Sequence, residues 1–166
     1  MSSAESTAVI AAERVPDAEA DEAEGDELYE YRSESFGALR FGLDAAAVER
    51  LLGALSSRTP VIEQEADGLF VTTWDWSAQG VAIELAATHA GGPFEVQSLS
   101  IRTPSRLQTA RGIGLGANAD AIVRAYGAEH AHVSDDAVLV GSPYGGLHFD
   151  LEQGVVRAIF IGAAAE

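Results

Sequence analysis

The sequence predicts an α+β fold of two tandem units, each a short helix plus about three antiparallel strands, with the helices packed on one face of the sheet. The main observation is a phrase that occurs twice. Residues 112–127 form a glycine-rich turn, a short amphipathic stretch and a terminal glycine, and residues 39–53 are a looser copy. When the terminal glycines are aligned, Asp44 matches Asn118. The chain is therefore predicted to be a tandem repeat.

Each phrase contains the signals of a short helix. Asp44 and Asn118 suit the N-cap position, where a side-chain oxygen accepts a hydrogen bond from a free backbone N–H. Gly53 and Gly127 suit the residue after the helix, where positive φ is common. Eight or nine residues are too few for a helix that is stable alone, so each helix is expected to lie against a sheet.

The strand signals follow each helix in the same order. They are β-branched, aromatic or alternating segments at 69–76, 81–86, 96–101, 137–140, 147–151 and 155–161. Short glycine-containing breaks between them favour hairpins, and therefore an antiparallel sheet. Residues 80–85 match 146–151, and residues 96–101 match 156–161.

The predicted organisation is an acidic disordered tail over 1–34 and a single α+β domain over 35–166. Unit one covers 35–103 and unit two covers 104–166. The tail has many acids and few large apolar residues, so burial cannot offset the entropy lost on ordering.

Composition excludes several classes of function. The formal net charge of −16 disfavours binding to nucleic acid and to anionic membranes. The chain has no cysteine, so disulfides, thiolate metal sites and thiol nucleophiles are excluded. No apolar run is long enough to span a bilayer. Without a signal peptide the sequence as written predicts a cytoplasmic protein; if a leader has been removed, it would be an envelope or secreted one.

The repeated pattern resembles the β-lactamase-inhibitor-protein-like fold, which is shared with the SmpA/OmlA small envelope lipoproteins. The residues that carry the resemblance lie at 116–127, 146–149 and 154–159. The resemblance implies a binding role: docking to partner proteins, inhibition of an enzyme, or support of outer-membrane assembly. The chain departs from the lipoproteins because it has no lipobox cysteine.

Two apparent motifs are interpreted as structural. Gly112-x-Gly114-x-x-Ala117 fits a relaxed dinucleotide fingerprint, but a polar bridge precedes it and hairpins follow it, whereas that site needs a strand before it and a parallel strand after it. His130 and His132 lie in a predicted polar loop without a third histidine at matching spacing. We therefore predict no cofactor and no metal site.

His148 and Asp150 alternate with apolar residues and so are predicted to share the sheet face opposite the core. Glu84 is the counterpart of Asp150 in unit one. These residues are candidates for a partner-binding face. An acid–base pair of His148 and Asp150 is the enzymatic alternative, although no nucleophile or oxyanion arrangement can be named around it.

Aromatic residues supply the remaining candidates for binding. Trp74 and Trp76 share one face of their strand, and Asp75 lies on the other. Burial of an unpaired Asp75 would be costly, so the tryptophans are expected to face the core. If the faces are reversed, the tryptophans become an exposed aromatic anchor. Tyr144, in a Pro-Tyr-Gly-Gly turn, is the best candidate for an exposed aromatic side chain.

The sequence thus predicts a non-catalytic protein-binding module of inhibitor, immunity or envelope-assembly type. Its open sheet face and hairpin tips would recognise another protein with a basic patch, because opposite charges speed association. The alternatives are a small enzyme that uses His148 and Asp150, and a small-ligand carrier. The sequence does not determine the oligomeric state.

Overall fold

The computed structural model describes residues 30–142 and 144–163. The secondary structure, in chain order, is β1 (Ser35–Phe36), β2 (Leu39–Arg40), α1 (Ala45–Leu52), β3 (Ser57–Arg58), β4 (Ile62–Glu63), β5 (Phe70–Trp76), β6 (Val81–Ala87), β7 (Glu95–Arg102), α2 (Ala119–Tyr126), β8 (Ala131–Val133), β9 (Ala137–Ser142), β10 (Gly145–Glu152) and β11 (Val155–Gly162). Short 3₁₀ turns lie at Tyr31–Ser33 and Ser77–Gln79. The predicted α+β class is confirmed.

Nine of the strands form one antiparallel sheet in the order β3-β5-β6-β7-β11-β10-β9-β8, with β4 also paired to β5. The last strands of the two predicted units, β7 and β11, are neighbours at the centre, where Leu99 faces Ile161. The strands of each unit extend outward from this pair in matching order. Each outer edge is formed by strands of two or three residues.

Both helices begin and end as the sequence predicts. Asp44 Oδ1 accepts a hydrogen bond from the Ala47 N–H at 2.8 Å, and Asn118 Oδ1 accepts one from the Ala121 N–H at 2.9 Å. Gly53 follows α1 with a φ of 84°, which an L side chain adopts only with strain. Each of these helix ends depends only on neighbouring residues, so the sequence alone predicts them.

Further correspondences between the two units appear in the backbone. The Val96 N–H donates to the Leu43 carbonyl before α1, and the Val156 N–H donates to the Ala117 carbonyl before α2. The sheet register also shifts after Glu84 in one unit and after Asp150 in the other. These features support the tandem-repeat interpretation, which stays a prediction.

The core lies between the two helices and one face of the sheet. Its largest fully buried side chains include Trp76, Phe36, Phe149, Ile83, Leu85, Leu99, Ile101 and Ile122. The Trp76 indole Nε1–H donates to the Gly53 carbonyl at 2.9 Å, which fixes the end of α1 against the sheet. The Tyr126 ring of α2 lies 6.1 Å from the Phe149 ring.

The folded part begins earlier than the sequence analysis places it. Residues 1–29 of the predicted tail lie outside the described residues. Within the rest of that segment, Tyr31 packs edge-on against Phe41, and Glu34 is 3% exposed. The Ala110 N–H donates to the Glu34 carboxylate. A domain boundary at residue 35 is therefore too late, because long-range partners, rather than local composition, order these residues.

Candidate binding face

The sheet face opposite the helices is here called the open face. It is built by period-2 alternation, since every second side chain of a strand points to the same side. Its central side chains come from β5, β6, β7, β9, β10 and β11: Thr73, Asp75, Ala82, Glu84, Ser98, Ser100, Arg102, Leu139, His148, Asp150, Ala158 and Phe160. Most of them are half-buried or exposed.

His148 and Asp150 share this face, as the alternation predicts. The His148 Nε2 and Asp150 Oδ1 atoms are 3.0 Å apart, and the two side chains are 48% and 60% exposed. The cross-strand neighbours of His148 are Leu139 and Phe160, which carry no group that could attack a substrate or transfer a proton. Among the described residues, no serine or threonine hydroxyl is hydrogen-bonded to this imidazole. The pair is an exposed, solvated surface feature.

Glu84 lies in different surroundings, although it is the predicted counterpart of Asp150. Its cross-strand neighbours are Thr73 and Ser98, whereas those of Asp150 are the alanines Ala137 and Ala158. Burial raises the pKa of Glu84, the negative charge of Asp67 raises it further, and a hydrogen bond with Ser98 opposes the rise.

Glu84 lines a recess of about 300 Å³ in the open face. The other lining residues are Thr73, Ala82, Ser98, Ser100, Phe160 and Ala163. A Cβ atom added at Gly162 would lie 2.8 Å from the Ser98 Cβ and 3.1 Å from the Phe160 ring. The absence of a side chain at Gly162 therefore lets the Phe160 ring lie close to Ser98 at the rim of the recess.

A broader groove of about 580 Å³ lies beside Asp150, between the ends of β7, β10 and β11. It contains two arginines, and each is already paired. Arg102 bonds Asp75 at 2.9 Å, and Arg157 is paired with Glu152. The groove therefore offers no unpaired cation to an anionic ligand, within the described part of the chain.

Trp74 and Trp76 are 9% and 1% exposed, so they face the core. The expectation that they face the core is right, and the alternative of an exposed aromatic anchor is wrong. Asp75, on the other face, is paired with Arg102 rather than buried alone. Neither tryptophan can therefore contribute a contact surface to a partner.

Tyr144 is 79% exposed at the tip of the β9–β10 hairpin. Its N–H donates to the Ser142 hydroxyl at 3.1 Å. It is the most exposed of the large hydrophobic residues in the described ranges. Tyr144 is therefore exposed, as the turn sequence predicts.

The glycine-rich turn and the segment with His130 and His132 have structural roles. Gly112 and Gly116 have φ angles of 87° and 94°, and the segment pairs with β11 through the Gly116 N–H and the Val156 carbonyl. An antiparallel strand, rather than the parallel strand of a dinucleotide site, follows α2. His132 lies on edge strand β8, which was expected to be a loop. Across residues 30–142 and 144–163, no cluster of three or more metal-ligating side chains occurs.

Sequence reasoning missed the recess itself. Ser98, Ser100 and Phe160 read as ordinary strand residues, because only the pairing register of β6, β7 and β11 brings them beside Glu84. Their alternation with Leu99, Ile101 and Ile161 is the one signal that places them on the open face.

Comparison with known protein families, with characterised proteins and with solved structures finds no match to this chain. Neither helix in the described ranges is long or apolar enough to cross a bilayer.

Proposed function

We propose that this chain is a non-catalytic protein-binding module that recognises a partner with a basic patch through its open face and hairpin tips. The observation that carries the proposal is the two-sided sheet. One face is buried under both helices, and the other presents half-exposed side chains to solvent.

Charge supports a basic partner. The protein has a formal net charge of −16. Arg102 of the open face and Arg157 of the neighbouring groove are paired with Asp75 and Glu152. In the part described, the ion pair of Asp150 is therefore with His148 alone, and Glu84 has none. An approaching basic surface would gain Coulombic attraction, which raises association rates more than it tightens binding.

The exposed aromatic side chain of Tyr144 adds a second element. Tyrosine is enriched in binding hot spots, because it buries a large area and keeps a polar tip. At a hairpin tip it can enter a concave surface on the partner. Docking of an inhibitor or assembly type is the role that the resemblance to the β-lactamase-inhibitor-protein-like fold implies.

Co-purification from native lysate tests the proposal with charge-reversal variants of the full chain. Asp150→Arg changes the open face, and Glu49→Arg makes the same change of charge on the exposed side of α1. We expect the unmodified chain and Glu49→Arg to retain a specific partner that Asp150→Arg loses, with binding weaker at high salt. Capture of no partner at several salt concentrations, or loss with Glu49→Arg alone, would contradict the proposal.

A further inference from the structure

We infer that the recess around Glu84 is a receptor for one guanidinium group, the side chain of an arginine on the partner protein. The inference rests on the proposed function, and it names the chemistry by which the open face would recognise its partner. Three observations carry it: an uncompensated carboxylate, a lining of hydroxyl acceptors and an aromatic wall.

The carboxylate of Glu84 is half-buried, and its hydrogen bond is to the neutral Ser98 hydroxyl. The charge that acts on its pKa is that of Asp67, which has the same sign and raises it. No arginine among residues 30–142 and 144–163 forms an ion pair with it. A desolvated carboxylate without a cation is unfavourable, and an entering cation would relieve this penalty.

The rest of the lining suits a flat group with several donors. The Ser100 hydroxyl donates to the Ala82 carbonyl, so its own lone pairs remain available to accept. The Thr73 side chain lies across the strand pair from Glu84. Guanidinium has five N–H donors in a fixed plane, whereas an ammonium group is a compact and strongly hydrated point charge.

The Phe160 ring forms the side of the recess nearest Gly162. Guanidinium stacks on aromatic faces and is attracted by the negative face of the ring. The recess has a volume of about 300 Å³, at the lower end of the range for small-molecule sites, which is roughly 300–1,000 Å³. It suits a single side chain better than a cofactor.

The two units offer a matched comparison within the molecule. Asp150 occupies the same position relative to the register shift as Glu84, but it is exposed, paired with His148 and flanked by alanines. A site that depended only on negative charge would bind equally well at both carboxylates. The recess predicts selective binding at Glu84.

The test uses the full chain and two probes, N-acetyl-arginine amide and its uncharged isostere N-acetyl-citrulline amide, in amide-resolved NMR titrations at neutral pH. We expect saturable shifts from the arginine probe at Glu84, Ser98 and Phe160, and none from citrulline. Glu84→Gln should weaken binding at least about tenfold, and Glu49→Gln, on the exposed side of α1, should leave it unchanged. A tenfold loss corresponds to about 1.4 kcal/mol.

Several outcomes would overturn the inference. The first is the absence of saturable shifts up to about 100 mM of the arginine probe, which would mean binding weaker than roughly 1.4 kcal/mol. The second is an equal response to the arginine and citrulline probes. The third is equal binding of the arginine probe by the unmodified chain and by Glu84→Gln. If the arginine probe does not bind, the co-purification test with Asp150→Arg still decides the proposed function independently. Conversely, saturable binding of the arginine probe without any captured partner would refute the proposed function and keep the recess as a guanidinium site.

Discussion

Phe149 and His148 are neighbours in β10 but lie on opposite faces of the sheet. The Phe149 side chain is fully buried between Val138 and Ile159 and beside the Tyr126 ring. Replacing a buried phenylalanine by alanine costs about 3–5 kcal/mol, because apolar burial is lost and a cavity remains. We expect Phe149→Ala to lower the free energy of unfolding by that amount, a large share of the roughly 5–15 kcal/mol of a typical domain.

His148→Ala is the matched control. The imidazole is about half exposed, and its contact with Asp150 is a surface pair of the kind that contributes about 0–1 kcal/mol. We expect a loss below about 1 kcal/mol, measured by urea unfolding followed by tryptophan fluorescence. If Phe149→Ala does not fold, Phe149→Leu should still lower the free energy of unfolding by more than His148→Ala does, because it also leaves unfilled space in the core.

A comparable loss for both variants would refute the reasoning. It would mean that His148 is packed against another part of the chain, so the open face would not be available to a partner. A loss below about 1 kcal/mol for Phe149→Ala would place the core elsewhere. Either result would remove the basis of the proposed function.

Three further predictions concern stability. Asp44→Ala removes the acceptor for the Ala47 N–H and should cost about 1 kcal/mol in urea unfolding, with less loss for Asp44→Asn. Trp76→Phe leaves the Gly53 carbonyl without its indole donor and leaves unfilled space, so it should cost about 2–4 kcal/mol. Burial and the charge of Asp67 raise the pKa of Glu84, and its hydrogen bond with Ser98 opposes the rise. Because the folded protein holds this proton more tightly than the unfolded chain, Glu84 stabilises the fold at low pH. The contribution is complete below the ordinary value of 4.5 and is lost as pH rises through the folded pKa. Glu84→Gln should therefore flatten the pH dependence and be the more stable form at pH 7.

Each of these predictions has a contradicting result. Equal losses for Asp44→Ala and Asp44→Asn would show that the cap hydrogen bond contributes nothing. An unchanged free energy of unfolding in Trp76→Phe would mean that α1 does not depend on the indole contact. A Glu84→Gln protein that is less stable at pH 7 would indicate that the carboxylate already has a cationic partner.

The short-range features follow from the sequence alone. The helix ends depend on Asp44, Gly53, Asn118 and Gly127, whose cap geometry involves only neighbouring residues. The six main strands and the face of His148 follow from alternation of period two, since a strand that buries one face must place its polar residues on the other.

Local sequence patterns do not predict the structure of residues that depend on distant partners. The edge strands β3, β4 and β8 have two or three residues each, too few for a periodic pattern, and they exist because a longer strand pairs with them. Glu34 lies in an acidic segment and is nevertheless buried, because its carboxylate accepts the Ala110 N–H far along the chain. Local composition cannot show such a contact.

The sequence by itself determined the α+β class, the capped helices and the face shared by His148 and Asp150, because each rests on spacing within a few residues. Only the tertiary structure decided the strand order and the register that joins β7 to β11. That register brings Ser100 and Phe160 together beside Glu84 and makes a recess there, while Asp150, its predicted counterpart, stays exposed. Cross-strand pairing joins residues some sixty positions apart, and no local pattern encodes that proximity.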